Sequence, residues 1–236
     1  MKQNEDYYDR FASWYENDRS KGYHAFLDRM ELKIAQPWVE NQEVLEAGCG
    51  TGLLLKELDR MASKATGVDL SAGMLEKALA RGLNAVKGSI TELPFPDNSF
   101  DTTVSFKVLS HIPDLKKAIS EMARVTRPGG HLVLEFYNKS SIRYLVKQLK
   151  PAQKVAGDTY DNQVHTAYHS WNEVLALLPP NVKTVDRQGI RIIAPTHHFY
   201  GLPIIGKLTE ASEEFASTTM LKKLGGFMIG IFEVTA

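Results

Sequence analysis

Three glycines stand at alternate positions in residues 44–52, which read V-L-E-A-G-C-G-T-G. Gly48, Gly50 and Gly52 have no Cβ, so a backbone that turns here can adopt positive φ and can approach a ligand closely. The acidic Glu46 before them would repel a phosphate and attract a cation. The stretch therefore predicts a binding site for a ligand with positively charged groups.

Two common glycine-rich motifs have a different spacing. A dinucleotide-binding turn reads G-x-G-x-x-G, and here Leu53 stands where its third glycine would be. A Walker-type phosphate loop ends in Gly-Lys-Ser or Gly-Lys-Thr, and this turn contains no lysine. The spacing argues against a nicotinamide dehydrogenase. That alternative would be supported again if the protein bound a nicotinamide cofactor.

A strand before the turn and a helix after it would position these glycines. The apolar residues of 44–47 indicate a short buried strand, and the leucines of 53–58 indicate a helix over 53–62. Such a helix presents its N-terminal N–H groups and the positive end of its dipole to the ligand.

Asp69 ends a second predicted strand, 19 residues after Gly50. A carboxylate at this position can accept hydrogen bonds from both hydroxyl groups of a ribose. The alternative, in which Asp69 caps the next helix, is weaker because Ser71 already suits the N-cap of a helix over 72–81. Met74, Leu75, Ala78 and Leu79 are predicted to form the buried face of that helix, and Gly82 its C-cap.

Three motifs in this order resemble the class I S-adenosylmethionine (SAM) dependent methyltransferases. They are Glu46-x-Gly48-x-Gly50-x-Gly52, the run L-P-F-P-D-N-S-F-D at 93–101 and the run R-V-T-R-P-G-G-H-L-V-L-E-F at 124–136. The resemblance covers roughly residues 40–137. It is strongest to the small-molecule branch, which includes the ubiquinone and menaquinone biosynthesis methyltransferases.

This resemblance implies an α/β fold, a Rossmann-like doubly wound sheet of seven mostly parallel strands. The last strand would be antiparallel and would lie between strands five and six. The implied cofactor is SAM, with S-adenosylhomocysteine as product, and the implied reaction is methyl transfer to an O, N or C atom of a small-molecule acceptor. A non-catalytic SAM-binding regulator and a protein methyltransferase are the alternatives.

The resemblance also assigns cofactor contacts along the chain. The family usually has an aspartate where this chain has Ser89, whose hydroxyl lacks charge assistance for an adenine contact. The aromatic stretch 8–15 is similar to the family's leading helix, so Tyr15 is predicted to line the cofactor entrance, with core packing as the alternative. The residues predicted to bind the cofactor are Tyr15, Glu46, Gly48, Cys49, Gly50, Gly52, Asp69, Leu70, Met74, Ser89, Ile90, Phe106 and Lys107.

A single methyltransferase domain is predicted over residues 1–236. It would comprise a helical cap at 1–37 that ends at Pro37, a SAM-binding core at 40–137, a lid insertion at 138–170 and the rest of the sheet at 171–236. Pro113 suits the first turn of a helix over 114–126. A strand over 182–193, a helix over 207–222 and a last strand over 227–234 would complete the domain. In the helix over 207–222, Leu208, Ala211, Phe215 and Leu221 are expected to face the core.

Three histidines are candidate catalytic bases: His111, His165 and His169. His111 resembles a histidine found just beyond strand four of the family, although it could instead cap the next helix. His165 and His169 would share one face of a helical turn. They lack the glutamate of an H-E-x-x-H motif and a third ligand, so no metal site is predicted. His197 and His198 belong to a second candidate pocket wall at 194–203.

Residues 142–149 are predicted to form an amphipathic helix in the lid. Arg143 and Lys147 lie four apart on its polar side, with Lys139 and Lys150 nearby. We interpret them as a solvated helix face, since surface lysines and arginines are common. The alternative is a basic patch for a carboxylate or phosphate of the substrate.

The charge balance restricts the partners. Lysine plus arginine and aspartate plus glutamate number 28 each, so the net charge is zero and neither nucleic acid nor an anionic membrane is an expected partner. The zero charge also leaves association into a homodimer open. One cysteine, no apolar run of about 20 residues and no signal peptide indicate a cytoplasmic protein.

Overall fold

The computed structural model describes residues 22–149, 154–156, 159–160, 165–193 and 203–236. In chain order the helices and strands are α1 (Gly22–Val39), β1 (Glu43–Ala47), α2 (Leu53–Met61), β2 (Lys64–Asp69), α3 (Ala72–Ala80), β3 (Ala85–Lys87), β4 (Phe100–Ser105), α4 (Leu115–Val125), β5 (Thr126–Asn138), α5 (Ile142–Leu149), β6 (Lys154–Ala156), β7 (Thr159–Tyr160), β8 (Tyr168–His169), α6 (Trp171–Leu177), β9 (Val182–Ile190), α7 (Pro203–Ser217) and β10 (Phe227–Val234). Short 3-10 helices lie at Leu109–His111 and Met220–Leu224.

The central sheet has the strand order β3-β2-β1-β4-β5-β10-β9. Strands β1 to β5 pair in parallel, and β10 is antiparallel to both β5 and β9. The predicted doubly wound sheet, with its antiparallel last strand between the fifth and sixth, is confirmed. The short β8, which extends the sheet beside the end of β5, was not predicted. The strand order reverses between β1 and β4, where open sheets of this kind bind their ligands.

The strands place alternate residues on the two faces of the sheet. Val133 packs in one core with Phe26 of α1 and Leu55 of α2, whereas Leu132 packs in the other with Ile119 of α4. Successive side chains of a strand point to opposite faces, so alternate residues of β5 enter the two cores. The sheet is therefore covered on both sides, and its carboxyl edge is left to form a site.

Several predicted boundaries and faces in the helices were wrong. Helix α1 runs through Pro37 to Val39, because a proline removes only its own bond and Glu40 still donates to the Gln36 carbonyl at 3.1 Å. Helix α4 begins after Asp114, which caps it, so Pro113 lies before the helix. Leu79 on α3 is exposed rather than buried. Gly82 follows the C-cap residue Arg81 with a positive φ.

The predicted core face of α7 was also wrong. Leu208 and Phe215 are 63% and 73% exposed, and Ala211 and Leu221 are exposed as well. The buried side of α7 instead carries Glu213, whose carboxylate accepts hydrogen bonds from the N–H groups of residues 192 and 193 at 2.6 and 2.9 Å. These N–H groups follow the end of β9 and bond to Glu213. The strand therefore ends at 190, and α7 presents Glu213 to the interior. No helix in the described ranges is long and apolar enough to cross a membrane.

Candidate active site

The glycine turn between β1 and α2 lies at the carboxyl edge of the sheet. Gly48, Gly50 and Gly52 have φ values of 84°, 53° and 81°, in the left-handed region that glycine tolerates best. The N–H groups of Gly48 and Cys49 both donate to the Val68 carbonyl, at 2.8 and 3.0 Å. These bonds tie the turn to the end of β2.

The three glycines have different steric roles. A Cβ on Gly48 would lie 2.4 Å from the Val108 side chain, and one on Gly52 would lie 2.6 Å from Leu83. A Cβ on Gly50 would meet nothing within 4 Å. Gly48 and Gly52 therefore permit close packing within the protein, whereas Gly50 faces the open space that a ligand can enter. The buried Cys49 side chain turns away, towards Gly67.

Asp69 connects β2 to the turn. Its Oδ2 accepts a hydrogen bond from the Gly50 N–H at 2.8 Å, and its Oδ1 accepts one from the Ser71 N–H at 2.9 Å. A carboxylate offers about four acceptor positions, more than the two that these N–H groups occupy. Ser71 caps α3 as predicted by accepting from the N–H of Met74, which is buried, while Leu70 is half-buried.

Glu46 is a buried acid at the end of β1. The residue is 2% exposed, and its Oε2 has no hydrogen-bond partner among the described residues. Burial raises the pKa of Glu46 well above its usual value, although Lys107 lowers it in part and Asp69 raises it further. An acid held in this way fits a ligand that brings positive charge, as the ammonium and sulfonium of SAM would.

Lys107 ties three elements together just beyond β4. Its Nζ donates to Asp28 at 2.5 Å and to Glu31 at 2.7 Å, both on α1. Its backbone N–H, at a φ of +61°, donates to Glu135 of β5 at 3.1 Å. Lys107 was predicted to contact the cofactor, and the structure instead places its ammonium between carboxylates of the protein. Any cofactor contact from Lys107 remains a prediction.

Glu31 and Glu135 were missed from the sequence. Both are buried, and one carboxylate oxygen of each, Oε1 of Glu31 and Oε2 of Glu135, has no donor among the described residues. Burial is the main cause that raises the pKa of each, and the charge of Glu31 raises the pKa of Glu135 further. The available signal was a glutamate inside an apolar strand, L-V-L-E-F, and another on the buried face of α1.

The predicted adenine contacts lie after β3. The Ser89 hydroxyl lies 2.8 Å from the Thr91 hydroxyl and accepts from the Thr91 N–H at 3.2 Å, so it serves a local turn. Ile90 and Phe106 are buried apolar side chains at the same edge of the sheet. Their cofactor roles remain predictions. Tyr15, His197 and His198 lie outside the described residues.

The histidines do not form the predicted helical pair. Residues 165–169 are extended and lead into β8, which pairs with the end of β5, so His165 and His169 do not share a helical face. His111 Nδ1 lies 2.9 Å from the His165 carbonyl. A carbonyl only accepts, so we assign the proton to Nδ1, which leaves Nε2 of His111 as the basic nitrogen. No group of histidine, cysteine and acidic residues that could hold a metal occurs in the described part of the chain.

Burial affects both His111 and His169. It lowers the pKa of His111, despite the bond to the His165 carbonyl, and it lowers the pKa of His169. His111 is therefore neutral near pH 7 and available as a base. The His169 Nδ1 is buried without a partner among the described residues.

Helix α5 forms where the sequence predicted it. The interpretation of its polar side as a solvated face was wrong for Arg143. The Arg143 guanidinium lies 4.5 Å from the Tyr137 ring centre and 4.9 Å from that of Phe227, while Ile142 and Leu145 are exposed. Aromatic faces at the end of β5 and the start of β10 attract the cation inward. Helical periodicity alone cannot reveal this preference.

Comparison with known proteins places this geometry in a family. The family described as "Methyltransferase domain" matches residues 45–134, which include the glycine turn, Asp69 and the end of β5. Residues 45–134 thus match a methyltransferase domain, and the resemblance to the SAM-dependent methyltransferases is confirmed. The matched range covers β1 to β5, the part of the sheet that carries the candidate cofactor site.

Two curated relatives agree with this assignment. The chain is 36% identical over 147 residues to a demethylmenaquinone methyltransferase of Mycolicibacterium paratuberculosis, covering 58% of this chain and 64% of that enzyme. It is 31% identical over 173 residues to a malonyl-[acyl-carrier protein] O-methyltransferase of Serratia marcescens, covering 68% and 66%. The aligned regions span just under two thirds of each relative.

A solved structure shows the same fold over nearly the whole chain. A SAM-dependent methyltransferase from Thermotoga maritima superposes with a TM-score of 0.69 at 21% identity, covering 97% of this chain and 98% of that one. At this identity the likeness establishes the fold and leaves the acceptor to be argued from the site.

The buried acids around Lys107 predict a large cost for removing its charge. Lys107→Met should destabilise the protein by about 3–5 kcal/mol, because Asp28, Glu31 and Glu135 lose their shared cation. Denaturant unfolding measures the change. As a control, Lys33→Met removes an exposed pair with Glu214, whose atoms are 3.2 Å apart, and should cost under about 1 kcal/mol. Equal losses in the two variants would contradict a stabilising role for the buried cluster.

Proposed function

We propose that this chain binds SAM at the carboxyl edge of β1, β2 and β4 and transfers its methyl group to a small-molecule acceptor. The observation that carries the proposal is the buried Glu46 carboxylate, with an unpartnered oxygen, beside the open backbone at Gly50. That pair suits a cationic ligand that approaches a backbone turn. The family match supports the same cofactor.

The residues of the site have separable roles in this proposal. Gly50 leaves room for the cofactor, Asp69 accepts its ribose hydroxyls, and Glu46 attracts its positive charge. SAM supplies an electrophilic methyl group on a sulfonium. The protein's part is to align the acceptor with that methyl group and to exclude water, which gives much of the rate in such a transfer.

His111 is the proposed base where the acceptor atom carries a proton. Its Nδ1–H bond to the His165 carbonyl fixes the ring and leaves Nε2 to take the proton. Its ring meets the Tyr137 ring edge to face at 5.7 Å, beside the lid helix. The curated relatives are named for demethylmenaquinone and for malonyl-[acyl-carrier protein]. We propose that the methyl acceptor of this chain is likewise a small organic group rather than nucleic acid.

Calorimetric titration with SAM, S-adenosylhomocysteine and NADH tests the cofactor. We expect the two adenosyl ligands to bind and NADH not to bind. Gly50→Val should abolish binding, because the side chain fills the ligand's space. Gly82→Val is the matched control, since Gly82 also has positive φ (76°) and open surroundings but ends α3 away from the site. Binding retained in Gly50→Val, or lost equally in both, would contradict the assigned loop.

The raised pKa of Glu46 predicts proton release on SAM binding. Above the ordinary value of 4.5, the empty site keeps a proton on Glu46 that a bound cation displaces, so affinity should rise with pH until the empty site is itself ionised. Titrations in buffers of different ionisation enthalpy count the protons. Glu46→Gln should remove the release, and S-adenosylhomocysteine, which lacks the sulfonium, should show less of it. Equal release by the variant and the wild type would exclude Glu46 as the source.

His111→Gln should lower turnover by about 100-fold or more and leave the SAM affinity unchanged, because a general base typically contributes 10²–10⁴-fold. The rate of the wild type should fall below a pKa that is lower than 6.5, since the protonated ring cannot act as a base. His131→Gln is the control: burial also lowers the pKa of His131, but it lies in the middle of β5 with its ring against Trp38 of α1. Unchanged turnover in His111→Gln would remove the base from the proposal.

A further inference from the structure

A second cluster of charged and aromatic side chains lies beside the candidate cofactor site, around the end of β5. We call it the arginine–tyrosine cluster, and it consists of Tyr23, Tyr137, Arg143, Tyr168, Arg191 and Phe227. Tyr137 and Tyr168 are register partners in β5 and β8, with ring centres 5.3 Å apart, and the Tyr137 and Phe227 rings are also 5.3 Å apart. The cluster thus joins the lid, the sheet and helix α1.

Arg143 is the cation at the centre of this cluster. Its guanidinium packs on the rings of Tyr137 and Phe227, and its Nη1 is inaccessible to solvent and has no hydrogen-bond partner in the described ranges. No described carboxylate forms an ion pair with Arg143. Burial opposes its charge, but the neighbouring tyrosines hold the pKa of Arg143 above its usual value. A guanidinium nitrogen that is shielded from solvent ordinarily has a hydrogen-bond acceptor.

Arg191 approaches the same point from the end of β9. A Cβ placed on Gly226 would lie 3.3 Å from Cδ of Arg191 and 3.4 Å from Cδ of Arg143. The aliphatic parts of the two arginine side chains therefore lie side by side over a glycine that leaves them room. Arg191 has a φ of +59°, a strained conformation of the sort that clusters at ligand sites.

Hydrogen-bond donors and a third cation surround the two arginines. The Arg191 guanidinium lies 4.9 Å from the ring centre of Tyr23, and burial raises the pKa of Tyr23 to about 12, so its phenol remains a neutral donor. Lys147 lies 5.5 Å from the ring centre of Tyr168. An oxyanion is the group that would neutralise the guanidinium of Arg143 and accept from such donors.

We propose that the arginine–tyrosine cluster binds an oxyanion of the methyl acceptor, so that the acceptor is a small acid. Arg143 and Arg191 would hold its carboxylate or phosphate, and the cluster's place beside His111 would direct the rest of the molecule towards the transferred methyl group. This identification of the acceptor class rests on the proposed methyltransferase function. In this arrangement acidic side chains would face the cationic cofactor, and cationic side chains would face the anionic acceptor.

The test measures anion preference directly, with simple probes. Benzoate and phenyl phosphate, each compared with the neutral isostere benzamide, are titrated by ligand-observed NMR at fixed salt, with and without saturating S-adenosylhomocysteine. At least one anion should bind about tenfold tighter than benzamide, and the tighter of the two identifies the acidic group. No preference for either anion up to about 10 mM, in the range of weak fragment binding, overturns the proposal.

Two variants locate the anion. Arg143→Gln should lose about tenfold in affinity for the preferred anion, and Arg143→Lys should recover only part of it, because lysine keeps the charge without the planar fork. Arg29→Gln is the matched control, since Arg29 also lies on an aromatic ring, that of Phe26, but pairs with Glu210 on the surface. Unchanged anion binding in Arg143→Gln overturns the assignment.

S-adenosylhomocysteine binding separates the two proposals. If the wild type binds the anion but not S-adenosylhomocysteine, the methyltransferase proposal fails while the oxyanion site stands. If it binds S-adenosylhomocysteine but shows no anion preference, the reverse holds. If Arg143→Gln does not fold, the anion preference of the wild type and the binding by Arg143→Lys decide the matter.

Discussion

The ammonium of one partly buried lysine, Lys107, holds the carboxyl edge of the sheet together. Lys107 donates to two acids of α1 through its side chain and to Glu135 of β5 through its backbone. Its positive φ costs roughly 1–3 kcal/mol for a residue other than glycine, and the bonds from Lys107 to the three acids offset this cost. Helix α1 is thereby fixed over the end of β4, so one wall of the candidate site depends on this cation.

A zero net charge conceals a strong local separation. Acids dominate around the glycine turn, where Glu46, Glu31 and Glu135 are buried with raised pKa values. Cations dominate around the lid, where Arg143 and Arg191 lie side by side. Counting charges along the sequence argued against a nucleic-acid partner but could not show this pattern, because each half of it draws residues from distant parts of the chain.

The sequence predicted the parts of the fold that local rules determine. Glycine spacing and apolar runs located β1, β2 and the glycine turn, and the Ser71 cap located α3, since each depends on neighbours within a few residues, whereas β4 and β5 were placed by the family resemblance. The direction of α7 and of Arg143 depends on tertiary partners. Glu213 faces inward because two N–H groups beyond β9 need an acceptor, and Arg143 turns to aromatic rings from β5 and β10.

The same dependence explains why the acids of the site escaped notice. A glutamate in a strand such as L-V-L-E-F is costly to bury, and only the fold shows that Lys107 and Glu31 are there to receive it. Lys107 lowers the pKa of Glu46 as well, so the cation that fixes α1 also acts on the buried acid before the glycine turn. Neither effect can be read from residue spacing, because Lys107, Glu46 and the acids of α1 are brought together only by the packing of α1 over β1 and β4.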